Sequence, residues 1–203
     1  MIILNKDYFE LKAENYDSDA KRVSNVDNIA NSILNSIKLD KTMHIMDFGS
    51  GTGLLLERVA PFVKKITAVD VSESMTKQLN EKIKYLDCEV EILQLDLTKT
   101  KLDIKFDGII SSMTMHHIED TQAMFNDFYK MLNNNGVIAI SDLDTEDGTF
   151  HTEDTGVFHF GFERTEFRDK AIAAGFKNVK VIAASVDEKP QGKYPVFLLT
   201  ANK

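Results

Sequence analysis

The chain of 203 residues is short of cysteine, proline and positive charge, and it contains no long apolar run. Cys88 is its one cysteine, so neither an internal disulfide nor a thiolate metal cluster can be built. The three prolines, at positions 61, 190 and 195, leave no proline-rich linker, and no low-complexity segment or internal repeat is present. With 24 basic against 32 acidic residues the net charge is −8. That balance argues against a general nucleic-acid binder, which needs a basic face to displace counterions. No stretch approaches the roughly 18 apolar residues of a membrane span. The opening "MIILNKDYFELK" has an apolar run too short for a signal peptide, with acids close behind it. The expectation is a cytoplasmic protein, monomer or homodimer, with no nucleic-acid or membrane partner.

What is present is an ordinary globular balance, 43% hydrophobic and 28% charged, enough for a single domain over 1–203 with one core. Residues 25–37 place Val26, Ile29, Ala30, Ile33, Leu34 and Ile37 on one helical face. "MHIMDF" (43–48), "KITAVD" (65–70), "VEILQLD" (90–96), "FDGIISS" (106–112) and "VIAISDL" (137–143) read as buried strands. Between them lie helical patterns: "LLLERVAPF"; a helix capped by Ser72 with Met75, Leu79, Ile83 and Leu86; and one carrying Met124, Phe125, Phe128, Met131 and Leu132, stopped by "NNNG". A helix from Thr165 to Ala174 ends at Gly175, and "NVKVIAASV" with "YPVFLLTANK" closes the chain as an antiparallel pair. The alternation predicts an α/β fold: a Rossmann-like, seven-stranded, mostly parallel sheet with helices on both faces and an antiparallel C-terminal strand.

In such a sheet ligands sit at the carboxyl ends of the strands, and three features converge there. "DFGSGTGLLL" (47–56) places Gly49, Gly51 and Gly53 after the first strand, so the backbone can turn tightly and approach a ligand. Asp70 ends the second strand, where a carboxylate can accept two hydrogen bonds from a ribose diol. Asp96 ends the third, in reach of an adenine amino group. The dinucleotide fingerprint is G-x-G-x-x-G, but this loop is G-x-G-x-G with Leu54 in the place of the last glycine. Asp47 would repel a pyrophosphate and attract an α-ammonium group. S-adenosylmethionine has that ammonium and no phosphate.

"MDFGSGTG", "VDVS", "LQLD" and "FDGIISSMTMHHIED", in that order, resemble the motifs of the class I S-adenosylmethionine-dependent methyltransferases, small-molecule branch. The lead-in "FELKAENYD" (9–17) is similar to a Phe-x3-Ala-x2-Tyr-Asp segment of many such members. The resemblance spans roughly residues 9–143. It implies that Gly49, Ser50, Gly51 and Gly53 lie under the methionine part of the cofactor and that Asp47 meets its ammonium group. It implies that Asp70 holds the ribose, that Val71 and Met75 pack on the adenine, and that Asp96 and the Leu97 backbone read its amino edge. Ser112 would stand beside the sulfonium and Tyr16 would close over the carboxylate end, with residues 1–40 forming a helical cap. Plainer roles stay open: Asp96 as a turn residue, Met75 as core, Tyr16 as cover for the N-terminal helix.

His116 and His117, just past the fourth strand, are the candidate catalytic residues, because imidazole can take a proton near neutral pH. The segment 142–167 is expected to be a substrate-side lid, with His151, Phe158, His159 and Phe160 as substrate contacts and with Phe158, Phe160 and Phe162 along one wall. His151 and His159 lack a standard metal-ligand spacing, so no metal is assigned. The reaction these residues imply is methyl transfer to a small-molecule acceptor. The rivals are a nicotinamide-dependent oxidoreductase, a non-catalytic S-adenosylmethionine-binding subunit and metal-assisted methyl transfer.

Overall fold

The computed structural model describes residues 7–203. Seven strands form one sheet: β1 (His44–Phe48), β2 (Lys65–Asp70), β3 (Glu89–Gln94), β4 (Phe106–Ser112), β5 (Leu132–Leu143), β6 (Lys177–Lys189) and β7 (Gly192–Asn202). Their order is β3-β2-β1-β4-β5-β7-β6. Pairing is parallel from β3 to β5, and β7 runs antiparallel to both β5 and β6. The chain reverses its direction of growth between β1 and β4, so a crevice opens at their carboxyl ends.

Successive strand residues face opposite sides, and the two sides are covered by different helices. Ile45, Ala139 and Leu198 pack with α1 (Ala20–Ser36) and α2 (Leu54–Val59) through Ile29, Ile33 and Leu56. Met46, Ile138 and Leu199 pack on the other side with α4 (Thr121–Met131) and α5 (Arg164–Ala173) through Phe125, Phe128 and Phe167. α3 (Glu73–Lys82) contributes Leu79 to the first side. Each fully buried Ile, Leu or Phe of this kind contributes about 1.5–3 kcal/mol of apolar transfer.

Three boundaries differ from the sequence expectation, each for a local reason. α1 begins at Ala20 because the Asp19 carboxylate caps it, accepting from the Lys21 and Arg22 amides, well before the apolar stripe starts. β3 stops at Gln94, and Asp96 lies in the following turn, accepting from the amide and hydroxyl of Thr98. "NNNG" is no loop: β5 starts at Leu132 and runs through it, with Asn135 at φ +64° and a register irregularity opposite Phe106 and Gly108. Among the described residues, no helix is long and apolar enough to cross a membrane.

Candidate active site

The loop after β1 carries Gly49 at φ +71° and Gly51 at φ +54°, a region that side-chain-bearing residues rarely occupy. A Cβ on Gly49 would lie 2.1 Å from the Thr114 hydroxyl, so this glycine lets the loop pack against the segment after β4. A Cβ on Gly51 would meet nothing within 4 Å. Gly51 therefore faces open space, where a ligand can rest on bare backbone.

Three buried polar atoms in this loop and at the ends of β1 and β4 have no hydrogen-bond partner among the described residues: Asp47 Oδ2, Ser50 Oγ and Ser112 Oγ. Leaving such a group unsatisfied costs about 1–3 kcal/mol, so three together mark a place built for something else to fill. Asp47 is 1% exposed. Burial, reinforced by the charge of Asp70, pushes its carboxyl up to about 8. Beside Ser112, Met113 is held at φ +57°, a strained conformation at the strand end.

Asp70 accepts from the Gly51 amide at 2.7 Å and from the Ser72 amide at 2.8 Å, tying β2 to the glycine loop. A carboxylate has about four acceptor positions, so lone pairs remain for a diol. Burial raises its pKa even against those two amides. Val71 is 62% exposed beside it, an apolar side chain left uncovered, whereas Met75 is 3% exposed and Leu97 belongs to the core. Asp96 is committed to Thr98 and to Lys99 at 2.7 Å. The turn role left open by the sequence is the one its side chain plays in this structure.

Tyr16 packs against the α1 side of the core with the Arg22 guanidinium 4.0 Å over its ring. Its neighbour Asp17 went unassigned, yet it holds the loop: it accepts from the Thr52 hydroxyl at 2.6 Å and pairs with Lys82, which also reaches the Thr52 carbonyl. Asp7, equally unforeseen, binds Ser72 and the Ser74 amide, so the N-terminal segment is fastened over the start of α3. Nothing in composition announces Asp7, whereas Asp17 closes the quoted lead-in motif.

On the other side of the crevice, His116 and His117 lie in a 3-10 turn (Met115–His117) after β4. His116 is 1% exposed, and its Nδ1 lies 2.7 Å from Oδ1 of Asp142, itself fully buried at the end of β5. The same carboxylate accepts from the His116 and Leu143 amides. Asp142 was missed although the signal was available, since it is a strand-terminal acid like Asp70. The segment 142–167 brings His151 to this pair: ring centroids are 4.3 Å apart for His116–His117, 5.2 Å for His116–His151 and 6.0 Å for His117–His151. Two charges 5 Å apart repel by about 3 kcal/mol at an effective dielectric of about 20. Burial first, and His116 next, hold His117 down to about 4 and His151 down to about 3.

The remaining aromatic residues of this segment are placed otherwise than the alternation suggested. Phe158 and Phe160 are exposed on the surface while Phe162 is buried against Phe167, so the three do not form one wall. This stretch is not a strand, and the amides of Phe158 and Phe162 bond to His116 and Leu143 carbonyls respectively, turning their side chains to different surroundings. His159 points its Nε2 to the Ile118 carbonyl at 2.9 Å and packs on Phe162, while its amide bonds to the His116 carbonyl at 3.2 Å. Among the described residues no group of three histidines, cysteines or acids is arranged to hold a metal ion.

An α/β sheet in this strand order, with a glycine cradle at its switch point, is a Rossmann-like arrangement whose ligands sit at the carboxyl ends of the strands. Residues 45–136 match a family model described as a methyltransferase domain. An uncharacterized methyltransferase of Schizosaccharomyces pombe is 32% identical over 192 residues, covering 87% of this chain and 66% of that protein. A malonyl-[acyl-carrier protein] O-methyltransferase of Acetivibrio thermocellus is 30% identical over 162 residues, covering 77% and 52%. A solved structure of Haemonchus contortus phosphoethanolamine N-methyltransferase 2 with S-adenosyl-L-methionine shares the fold, at a TM-score of 0.69 and 17% identity over 87% of this chain and 52% of that one. The chain belongs to the class I S-adenosylmethionine-dependent methyltransferases. It spans between about half and two thirds of the length of the curated relatives it matches.

Proposed function

We propose that this protein transfers a methyl group from S-adenosylmethionine to a small-molecule acceptor, and that the glycine cradle with its three unpartnered polar atoms is the cofactor's seat. The observation that carries the reading is Asp47 Oδ2, buried at the end of β1 without a partner among the described residues, where an α-ammonium group would satisfy it. Ser50 and Ser112 would take the neighbouring polar atoms, Asp70 the ribose hydroxyls and Val71 the adenine face. When bound, the cofactor supplies an activated methyl group and its own leaving group.

The chain's own task is then to align two reactants and exclude water, which is worth up to about 7–11 kcal/mol in favourable cases. Latches on both sides support this. Asp17 and Asp7 fasten the N-terminal segment over the loop and α3, and Lys12 pairs with Glu153 of the lid at 2.8 Å. His116, oriented by Asp142, is the residue in position to hold or move a proton of the acceptor. A nicotinamide dinucleotide fits less well: Leu54 is buried where its fingerprint needs glycine. The single half-buried cysteine suits a reducing cytoplasm.

Calorimetric titration with S-adenosylhomocysteine tests the reading. Asp70→Ala is expected to weaken binding tenfold or more, since a hydrogen bond to a charged group contributes about 1.5–3 kcal/mol. Unchanged affinity would remove Asp70 from the site.

A further inference from the structure

The sheet ends in two edges, and they are not alike. β3 is 6 residues long, and its Glu89 and Glu91 are tied to Lys65 at 3.1 and 2.9 Å. A short edge bearing acids discourages a further strand. β6 is 13 residues long and pairs on one side only, with β7. Its stretch "VIAASV" (181–186) carries no charge and no proline, and Ile182 and Val186 in it are 41% and 48% exposed. Beyond β7, the backbone of this stretch meets only the Ser32 hydroxyl among the described residues, which donates to the Ala184 carbonyl at 3.3 Å. An uncovered apolar edge of this length is a template for another strand.

The strand that matches this edge is β6 itself. Laid antiparallel on a second copy, about a twofold axis between Ala183 and Ala184, it sets Lys180 opposite Asp187, Val181 opposite Val186 and Ile182 opposite Ser185. Opposite residues of such a pair share a face, whereas residues an odd number apart in an unbroken strand do not. The register irregularity between Ala183 and Ser185 moves the alternation by one and removes the conflict. Lys180, Ile182, Ser185 and Asp187 stand beside Thr200, Leu198, Val196 and Tyr194, on the side covered by α1. Val181 and Val186 stand beside Leu199 and Pro195, on the other side. The bulge that guards the edge against an arbitrary strand thus admits a copy of itself, with two alanines at the centre. Lys180 is exposed with no ion pair among the described residues. Asp187 is 9% exposed, with Lys189 and Arg22 as its cationic neighbours and no hydrogen-bond donor among the described residues. We propose that the protein is a homodimer in which the two β6 strands pair antiparallel, joining the sheets and setting Lys180 of each copy against Asp187 of the other. β6 runs parallel to β1–β5, since β7 is antiparallel to both β5 and β6, so the pairing turns the two crevices to opposite ends of the joined sheet.

Sedimentation velocity of the full chain, from micromolar to near-millimolar concentration, tests this. Wild type is expected to pass from monomer to dimer in that range, with the amides of residues 181–186 exchanging more slowly as it does. Lys180→Glu sets acid against acid at both ends of the pairing and should weaken the dimer at least tenfold, with circular dichroism unchanged. Ile182→Lys, which puts a charge on the exposed apolar stretch, should weaken it as much. Adding Asp187→Lys to Lys180→Glu should restore the dimer; if that combination does not fold, the two single substitutions decide. A monomer at the highest concentration, a dimer unchanged by either single substitution, a folded combination that stays monomeric, or exchange slowed at β3 instead of β6 would overturn the inference. None of these readouts depends on methyl transfer, so the proposal stands or falls apart from that reading.

Discussion

Two buried aspartates end neighbouring parts of the same sheet, and they are equipped in opposite ways. Asp47, at the end of β1, leaves one carboxylate oxygen without a partner among the described residues, and its carboxyl is pushed up to about 8. Asp142, at the end of β5, is more deeply buried still and is surrounded by its own donors: the His116 ring at 2.7 Å, the Leu143 amide at 2.7 Å and the His116 amide at 3.2 Å. One acid keeps an oxygen without a partner among the described residues, and the other already serves a side chain of the protein. On the proposed reading the first belongs to the cofactor half of the crevice and the second to the acceptor half.

Removing each acid in turn should separate the two roles most sharply. Asp142→Ala leaves the His116 ring and two amides buried and unpaired, and chemical unfolding should show a loss of about 3–5 kcal/mol. Asp47→Asn removes no partner, and the ligand-free protein should be at least as stable as the wild type. Equal losses at the two positions would erase the distinction.

The two halves also differ in how plainly the sequence announces them. The cofactor half is written in local order: strand, glycines, helix, then an acid after the next strand. Gly49, Gly51 and Asp70 fall where those patterns place them. The acceptor half is assembled from distant segments. His116 meets Asp142 across 26 residues and its ring approaches His151 across 35, through a segment that has no periodic pattern to read. The alternation in "VFHFGF" is therefore misleading: backbone bonds to His116 and Leu143 decide where Phe158 and Phe162 point. Asp96 fails as a strand-end acid for a smaller reason, an acid–Thr turn that ends the ladder two residues early.

Next in size is the response to pH, which should have opposite signs at the two ends. His117 and His151 titrate in the fold at about 4 and about 3, below the roughly 6.5 of a free imidazole. The unfolded chain therefore binds protons that the native state refuses. Stability held above about pH 6.5 is lost as pH falls toward 4 and 3. Asp47 is raised in the fold, so its contribution is present below about pH 4 and is lost as pH rises through about 8. Melting temperatures across pH 4–9 should show His151→Gln flattening the acid limb and Asp47→Asn flattening the limb toward 8. A single variant flattening both would contradict this division.

The smallest effect is expected at the latch between the halves. Lys12 and Glu153 are 40% and 67% exposed at their side chains, so Lys12→Ala should change unfolding stability by less than about 1 kcal/mol. Its signature is expected in lid opening, as faster amide exchange over residues 149–158; unchanged exchange would leave this contact no part in closure.

The account turns on Asp47 being held protonated until a ligand ammonium arrives. Calorimetry of S-adenosylhomocysteine binding at pH 7, run in buffers of different ionisation enthalpy, reads this directly. Wild type should release about one proton per ligand bound, and Asp47→Asn should bind at least tenfold more weakly with no linked release. Tight binding with no proton released from the wild type would contradict it.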